Sequence, residues 1–286
     1  MRMMLSVSCL LALSSCAEFS PKPSNSPGFD PKRFLCSFSD SPRFSQAERS
    51  RARLKLSAAL GSLGLEPKVH AYDAGRIGSG VNAYAELMAT VPSDEWIVLG
   101  AHYDTVRGSP GADDDASGVA AVFMVAERLI RLEERRVNVL LAFFDQEEHG
   151  LVGSAAFAEW LQASSRRPVA AHCLDMVGWD GDKDRAVELG RGGVPDDGAD
   201  RFVSLYREAA GRAPGVGSVT RTDLGRSDHV SFINRGIPAV LVIEEYVGGD
   251  SSPYYHRQTD TCETIDYEYL RAVADLVAEA VSVQIE

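Results

Sequence analysis

Residues 98–118 concentrate one imidazole and four carboxylates: Val-Leu-Gly-Ala-His-Tyr-Asp-Thr-Val-Arg-Gly-Ser-Pro-Gly-Ala-Asp-Asp-Asp-Ala-Ser-Gly. Ile97–Gly100 is an apolar run that reads as a buried strand. It delivers His102 and Asp104, an i, i+2 pair whose side chains leave one face of an extended segment. A Gly- and Pro-rich turn follows, then Asp113-Asp114-Asp115 and an amphipathic helix over roughly 119–132. Polar groups at the carboxyl end of a strand lie where open α/β sheets place their ligands. Three adjacent aspartates repel one another, and a divalent metal among them relieves the repulsion. The aspartates alone equally suit a solvated turn with a helix N-cap; His102 and Asp104 tip the reading to metal.

The same arrangement recurs along the chain. Val137–Phe144, a second apolar run, ends in Asp145-Gln146-Glu147-Glu148-His149-Gly150, and Val169–Met176 carries Asp175 at its end. His256 lies in Tyr254-Tyr255-His256-Arg257-Gln258-Thr259-Asp260. Two histidines and several carboxylates, without cysteine, suit a catalytic zinc site with open positions, and the ligands suffice for two ions sharing a carboxylate. Two metals roughly 3.5–4 Å apart activate a water and polarise a carbonyl together.

Elements that position these groups are legible from periodicity. Ser45–Leu60 reads as a helix with a Ser45/Glu48 capping box and a stop at Gly61. Strands are expected over 68–72, 82–91, 95–101, 137–144, 169–176, 186–189 and 239–243, the first two as an antiparallel pair. Further helices are expected after Ser154 to about Leu161, over 200–210, and as a closing helix over 267–285. This alternation argues for a three-layer α/β sandwich with a mixed, mostly parallel sheet and helices on both faces.

These motifs resemble, in order, those of the di-zinc aminopeptidases of metallopeptidase family 28, to which glutaminyl cyclases are related. The resemblance spans nearly all of residues 80–270. It implies that His102 and Asp175 bind one zinc, Glu148 and His256 a second, and Asp114 bridges them. It further implies that Glu147 is the general base and that Asp104 orients the site. Tyr255 would support the oxyanion, and Arg226 in Gly225-Arg226-Ser227-Asp228 would contact substrate. Asp260, four residues past His256, is expected to hold the other nitrogen of that imidazole. Asp228 and His229 are expected to order their loop, His70, His149 and His172 to have no site role, and Trp179 to pack or to line a specificity pocket.

The implied activity is hydrolysis of the N-terminal bond of peptides with a free α-amine, the surplus carboxylates holding the ammonium. A glutaminyl cyclase is the alternative, although Ala116-Ser117-Gly118 and Gly150-Leu151-Val152-Gly153-Ser154 keep the peptidase-like form. A non-catalytic binding protein is a third reading, and cobalt or manganese would suit the same ligands as zinc. Preference for the N-terminal residue would be set by loops 179–197 and 244–255.

The 286 residues are 45% hydrophobic and 24% charged, enough for one large domain over 33–286. A net charge of −12 argues against a nucleic-acid partner. Residues 1–15 read as a signal segment too short to span a membrane. Leu13-Ser14-Ser15-Cys16 resembles a bacterial lipoprotein cleavage box, implying acylation at Cys16 and a lipid-anchored, periplasm-facing protein; a plain secretory signal is the alternative. Ser- and Pro-rich residues to position 32 read as a flexible tether. With Cys9 removed and Cys16 acylated, Cys36, Cys173 and Cys262 remain, and any pair of them is open to a disulfide in an oxidising compartment. Cys173 falls on a core strand and reads as a buried apolar residue.

Overall fold

In the computed structural model, residues 28–191 and 197–286 are described. The stretch expected to be a signal segment, Cys16 and the expected tether up to residue 27 lie outside them. The helices are α1 (Pro31–Phe38), α2 (Gln46–Ser62), α3 (Ala116–Ile130), α4 (Val152–Ala163), α5 (Asp197–Ala210), α6 (His229–Ile233) and α7 (Tyr267–Ile285). The strands are β1 (Lys68–Asp73), β2 (Ser79–Leu87), β3 (Glu95–His102), β4 (Asn138–Phe144), β5 (Arg167–Leu174), β6 (Ala186–Gly190), β7 (Ser218–Thr222) and β8 (Ala239–Ile243). They form one mixed sheet in the order β1-β2-β4-β3-β5-β8-β6-β7. β1 and β2 pair antiparallel, while β4, β3, β5 and β8 are mutually parallel.

Strand periodicity of two divides the core into two layers. Ile97, Leu99, Val139, Leu141 and Phe143 face α1, α2, α3, α5 and α7, packing with Leu35, Leu56, Val119, Tyr206 and Val277. Val98, Leu140, Ala142 and Phe144 face α4 and α6 through Phe157, Leu161 and Phe232. Burial on both faces explains why β3 and β4 read as unbroken apolar runs.

The chain leaves β3, crosses through α3 to β4 on one side, and returns through α4 to β5 on the other. The winding therefore reverses at β3, and a crevice opens at the carboxyl ends of β4, β3 and β5. His102 and the segments bearing Glu147, Glu148 and Asp175 all begin at this edge.

Three elements escaped periodicity. β7 is a short edge strand with only Val219 and Thr222 buried, and α6 is barely more than a turn. α1 begins with Asp30 capping Arg33 N and Pro31 in the first turn, within the stretch expected to be tether. The tether reading fails for residues 28–32: Phe29 donates its N–H to Glu127 and its ring packs against Phe123. Among the described residues, Cys36 of α1 and Cys262 are joined in a disulfide, and Cys173 is free and buried. No helix among the described residues is long and apolar enough to cross a membrane.

Candidate metal centre

Asp114 is the centre of the site. Its Oδ1 lies 3.0 Å from His102 Nε2, and its Oδ2 lies 3.1 Å from His256 Nε2. Asp175 Oδ1 approaches His102 Nε2 at 3.6 Å, and Glu148 Oε2 approaches His256 Nε2 at 3.2 Å. One carboxylate thus faces two donor sets, His102 with Asp175 and Glu148 with His256. Asp115 also brings an oxygen within 4.8 Å of the first set. Both of its oxygens, however, are engaged by main-chain N–H groups, Oδ1 by Gly118 and Met176 and Oδ2 by His102. Asp115 is therefore the N-cap of α3 and a brace between β3 and the end of β5. Gly118 permits this cap, since a Cβ there would meet Asp115 Oδ1 at 2.3 Å.

Several groups hold the ligand-bearing loops in place. Asp104, fully buried, accepts N–H bonds from Glu147 at 2.9 Å and Glu148 at 3.3 Å, and stands 3.5 Å from His102 Nδ1. One carboxylate thus aims the imidazole and both glutamates. Ser227 donates to Asp175 Oδ2 at 2.7 Å, fixing that carboxylate from the opposite loop. Asp145, immediately before the turn, is held by Arg49 at 2.7 Å and accepts from Val81 N. Four non-glycine residues around the crevice adopt positive φ: Gln146, Leu151, Met176 and His256. Such conformations persist only where surrounding contacts impose them, as at functional sites.

Asp260 does not have the partner expected for it. It accepts the main-chain N–H groups of Asp113 at 2.8 Å and Asp114 at 3.2 Å, instead of the ring of His256. The positive φ of His256 tightens the turn, and the chain brings Asp260 back under the aspartate loop. Arg43 faces the same loop. Only 2% exposed, it donates to the carbonyls of Tyr103, Pro110 and Gly111 and supplies positive charge to Asp260. Sequence reasoning missed Arg43 because it lies about 60 residues before the residues it holds, in a segment without periodicity.

The pocket draws positive charge. Burial works against a charged His102, but Asp104, Asp114 and Asp175 hold its pKa well above the usual imidazole value. His256, also penalised by burial, is pushed up to about 10 by Asp114 and Glu148. Burial, with Asp175, Asp228 and Glu148 nearby, raises Glu147 well above the usual carboxyl range. Glu148 Oε1 is buried without a hydrogen-bond partner, and His102 Nδ1 has only the ion-pair approach of Asp104 at 3.5 Å. Nitrogen and oxygen donors arranged in two sets about one carboxylate, with no thiolate among them, fit a pair of borderline divalent cations.

Tyr255 stacks on His256 with ring centroids 3.8 Å apart and remains 36% exposed at the mouth. Arg226 is exposed on the loop before α6, one residue from Ser227. Asp228 and His229 are buried and stay outside both donor sets, His229 bonding to the carbonyl of Leu224. His70 and His172 bond to Asn82 and Tyr206, away from the site. His149, expected to have no role, stacks on Phe44 and sits 3.8 Å from Asp104 Oδ2, close enough to favour the ionised form of that carboxylate. Trp179 meets Tyr254 edge-on at 5.5 Å, on the rim.

The chain is 32% identical to Aminopeptidase YwaD of Bacillus subtilis over 191 residues, covering 65% of this chain and 40% of that protein. It is 32% identical to Probable lipoprotein aminopeptidase LpqL of Mycobacterium tuberculosis over 197 residues, covering 59% of this chain and 39% of that one. The solved structure of BSAP, a zinc aminopeptidase from Bacillus subtilis, superposes with a TM-score of 0.66 at 28% identity, over 74% of this chain and 52% of that one. The chain thus spans about two fifths of the length of these two curated relatives. Residues 82–281, which carry every member of both donor sets, match peptidase family M28, and the chain belongs to that family.

Proposed function

We propose that this chain is a zinc-dependent aminopeptidase that hydrolyses the N-terminal bond of peptides. The observation that carries the reading is Asp114, with one oxygen turned to His102 and the other to His256. In this reading His102, Asp114 and Asp175 hold one zinc, and Asp114, Glu148 and His256 hold the other. The pair of ions, when bound, lowers the pKa of a water and polarises the scissile carbonyl.

The remaining chemistry belongs to the chain. Glu147 takes a proton from the attacking water as the oxygen–carbon bond forms, then delivers it to the leaving nitrogen as the carbon–nitrogen bond breaks. Its raised pKa suits the second half of that cycle. Asp104 positions Glu147 through the main-chain N–H, leaving the glutamate side chain free to carry the proton. The Tyr255 hydroxyl stabilises the oxyanion, and Arg226 contacts the substrate beyond the scissile bond. Carboxylates surplus to metal binding hold the substrate ammonium, which favours cutting at the N-terminus.

Release of p-nitroaniline from aminoacyl-p-nitroanilides tests the reading. Turnover should be abolished by o-phenanthroline and accompany about two zincs per chain. Glu147→Gln should lower kcat by about 10²–10⁴-fold while leaving bound zinc unchanged. Bound zinc with no turnover, but cyclisation of Gln-initiated peptides, would move the assignment to a cyclase. Failure to bind metal would leave a binding protein.

We further propose that the chain is exported and lipid-anchored through Cys16 to the bacterial envelope, facing the periplasm. The Leu13–Cys16 motif supports this, as does a relative named as a probable lipoprotein. Cys16→Ala should release the protein from the membrane fraction.

A further inference from the structure

A second carboxylate cluster lies beyond the metal centre, where the β5–β6 loop meets the β8–α7 loop. Asp180, Asp182 and Asp250 bring oxygens within 4.8 Å of one another, and Asp182, Asp184 and Glu245 do the same. Asp180 is only 5% exposed, and its Oδ2 has no hydrogen-bond partner. A buried, unpaired carboxylate oxygen beside other carboxylates is costly unless a cation joins it. The basic residues of the loop are committed elsewhere, Lys183 to Asp266 at 2.7 Å and Arg185 to Glu268 at 3.2 Å.

The loop is also shaped for an ion. Asp180, Asp182 and Asp184 alternate as the first, third and fifth ligands of a calcium loop do. The sixth residue, Arg185, adopts the positive φ usually reserved for glycine there, at 59°, and donates its N–H to Asp180 Oδ1 at 3.1 Å. A strand follows instead of a helix, so the twelfth position (Arg191) supplies no carboxylate. Asp250 and Glu245, from the facing loop, stand in that place. Asp250 already ties the two loops, accepting from Gly181 N, Asp182 N and Trp179 Nε1. Glu245 is raised from its ordinary range by burial and by Asp184, Asp182, Glu188 and Asp250 around it.

We propose that Asp180, Asp182, Asp184, Glu245 and Asp250 bind one calcium ion that fastens the loop following Asp175 to the loop leading into His256. The ion is held by oxygen alone, which selects a hard cation over zinc. The site stands independently of the peptidase reading, since none of its ligands belongs to the zinc centre.

The test uses the zinc-loaded full chain and terbium as a calcium surrogate, with Trp179 as the built-in sensitiser. Tryptophan-excited terbium emission should saturate at one ion per chain and be displaced by calcium. Calcium at about a hundred times its Kd should raise Tm by roughly 5 °C. The exposed double variant Asp182→Asn/Asp184→Asn should weaken calcium at least tenfold and lose the Tm rise, with its Tm before calcium is added close to that of the wild type. Trp179→Phe should lose emission but keep the calcium-dependent Tm. Absence of calcium-displaceable emission and of a Tm rise would overturn the proposal. So would emission that persists in the double variant but disappears in Glu148→Gln, since the ion would then occupy the zinc centre.

Discussion

Asp104→Asn isolates the positioning function of a residue that needs no contact with metal or substrate. The carboxylate accepts N–H bonds from Glu147 and Glu148 with separate oxygens and stands 3.5 Å from His102 Nδ1. An amide of the same shape retains one acceptor and turns an NH₂ towards the other main-chain N–H. That leaves a buried donor unsatisfied, costing about 1–3 kcal/mol, or roughly a 2–10 °C drop in Tm for a domain of this size. The glutamate turn and the His102 ring lose their common reference, so zinc affinity should fall about 10–100-fold. At saturating zinc, kcat should still fall about 10²-fold, because a small misplacement of the base and its water is enough. Competition with a fluorescent zinc chelator measures the affinity, and p-nitroanilide hydrolysis with added zinc measures kcat. Glu147→Gln provides the contrast: kcat collapses while zinc affinity holds. If Asp104→Asn keeps both quantities within about threefold of the wild type, the positioning argument is wrong.

Zinc loading of the metal-free protein at pH 7 should release protons, because His256 is held protonated up to about 10 and His102 is also raised. Calorimetry in buffers of different ionisation enthalpy should find about two protons released by these imidazoles, and zinc affinity should weaken as pH falls. The sign reverses for stability without metal: a raised histidine pKa stabilises the fold fully below about 6.5, and that contribution disappears as pH rises through about 10 for His256. Arg43→Met leaves the carbonyls of Phe38, Tyr103, Pro110 and Gly111 without their donor and removes the charge beside Asp260. It should cost about 3–5 kcal/mol and lower zinc affinity in the same titration, because the loop that carries Asp114 loses its anchor. Reduction of Cys36–Cys262, or Cys36→Ser with Cys262→Ser, should cost about 2–5 kcal/mol, read as a fall in the denaturation midpoint. The disulfide closes a sequence separation of 226 residues and joins α1 to the segment following Asp260.

Much of the candidate site was legible because its residues come with local punctuation. His102, Glu147 and Asp175 each follow an apolar run, and a buried parallel strand announces both its own path and the place where it ends. Strand alternation and helix caps such as Ser45/Glu48 are likewise properties of a few consecutive residues, so the sandwich could be read in one dimension. What joins distant segments was not legible. Arg43 reaching under residues 103–111, Asp260 taking the N–H groups of Asp113 and Asp114, and Cys36 choosing Cys262 over Cys173 all depend on which loops the sheet order brings together. Asp114 and Asp115 are chemically alike and adjacent. Only the direction in which the folded turn points each carboxylate makes one of them face both imidazoles and the other cap a helix.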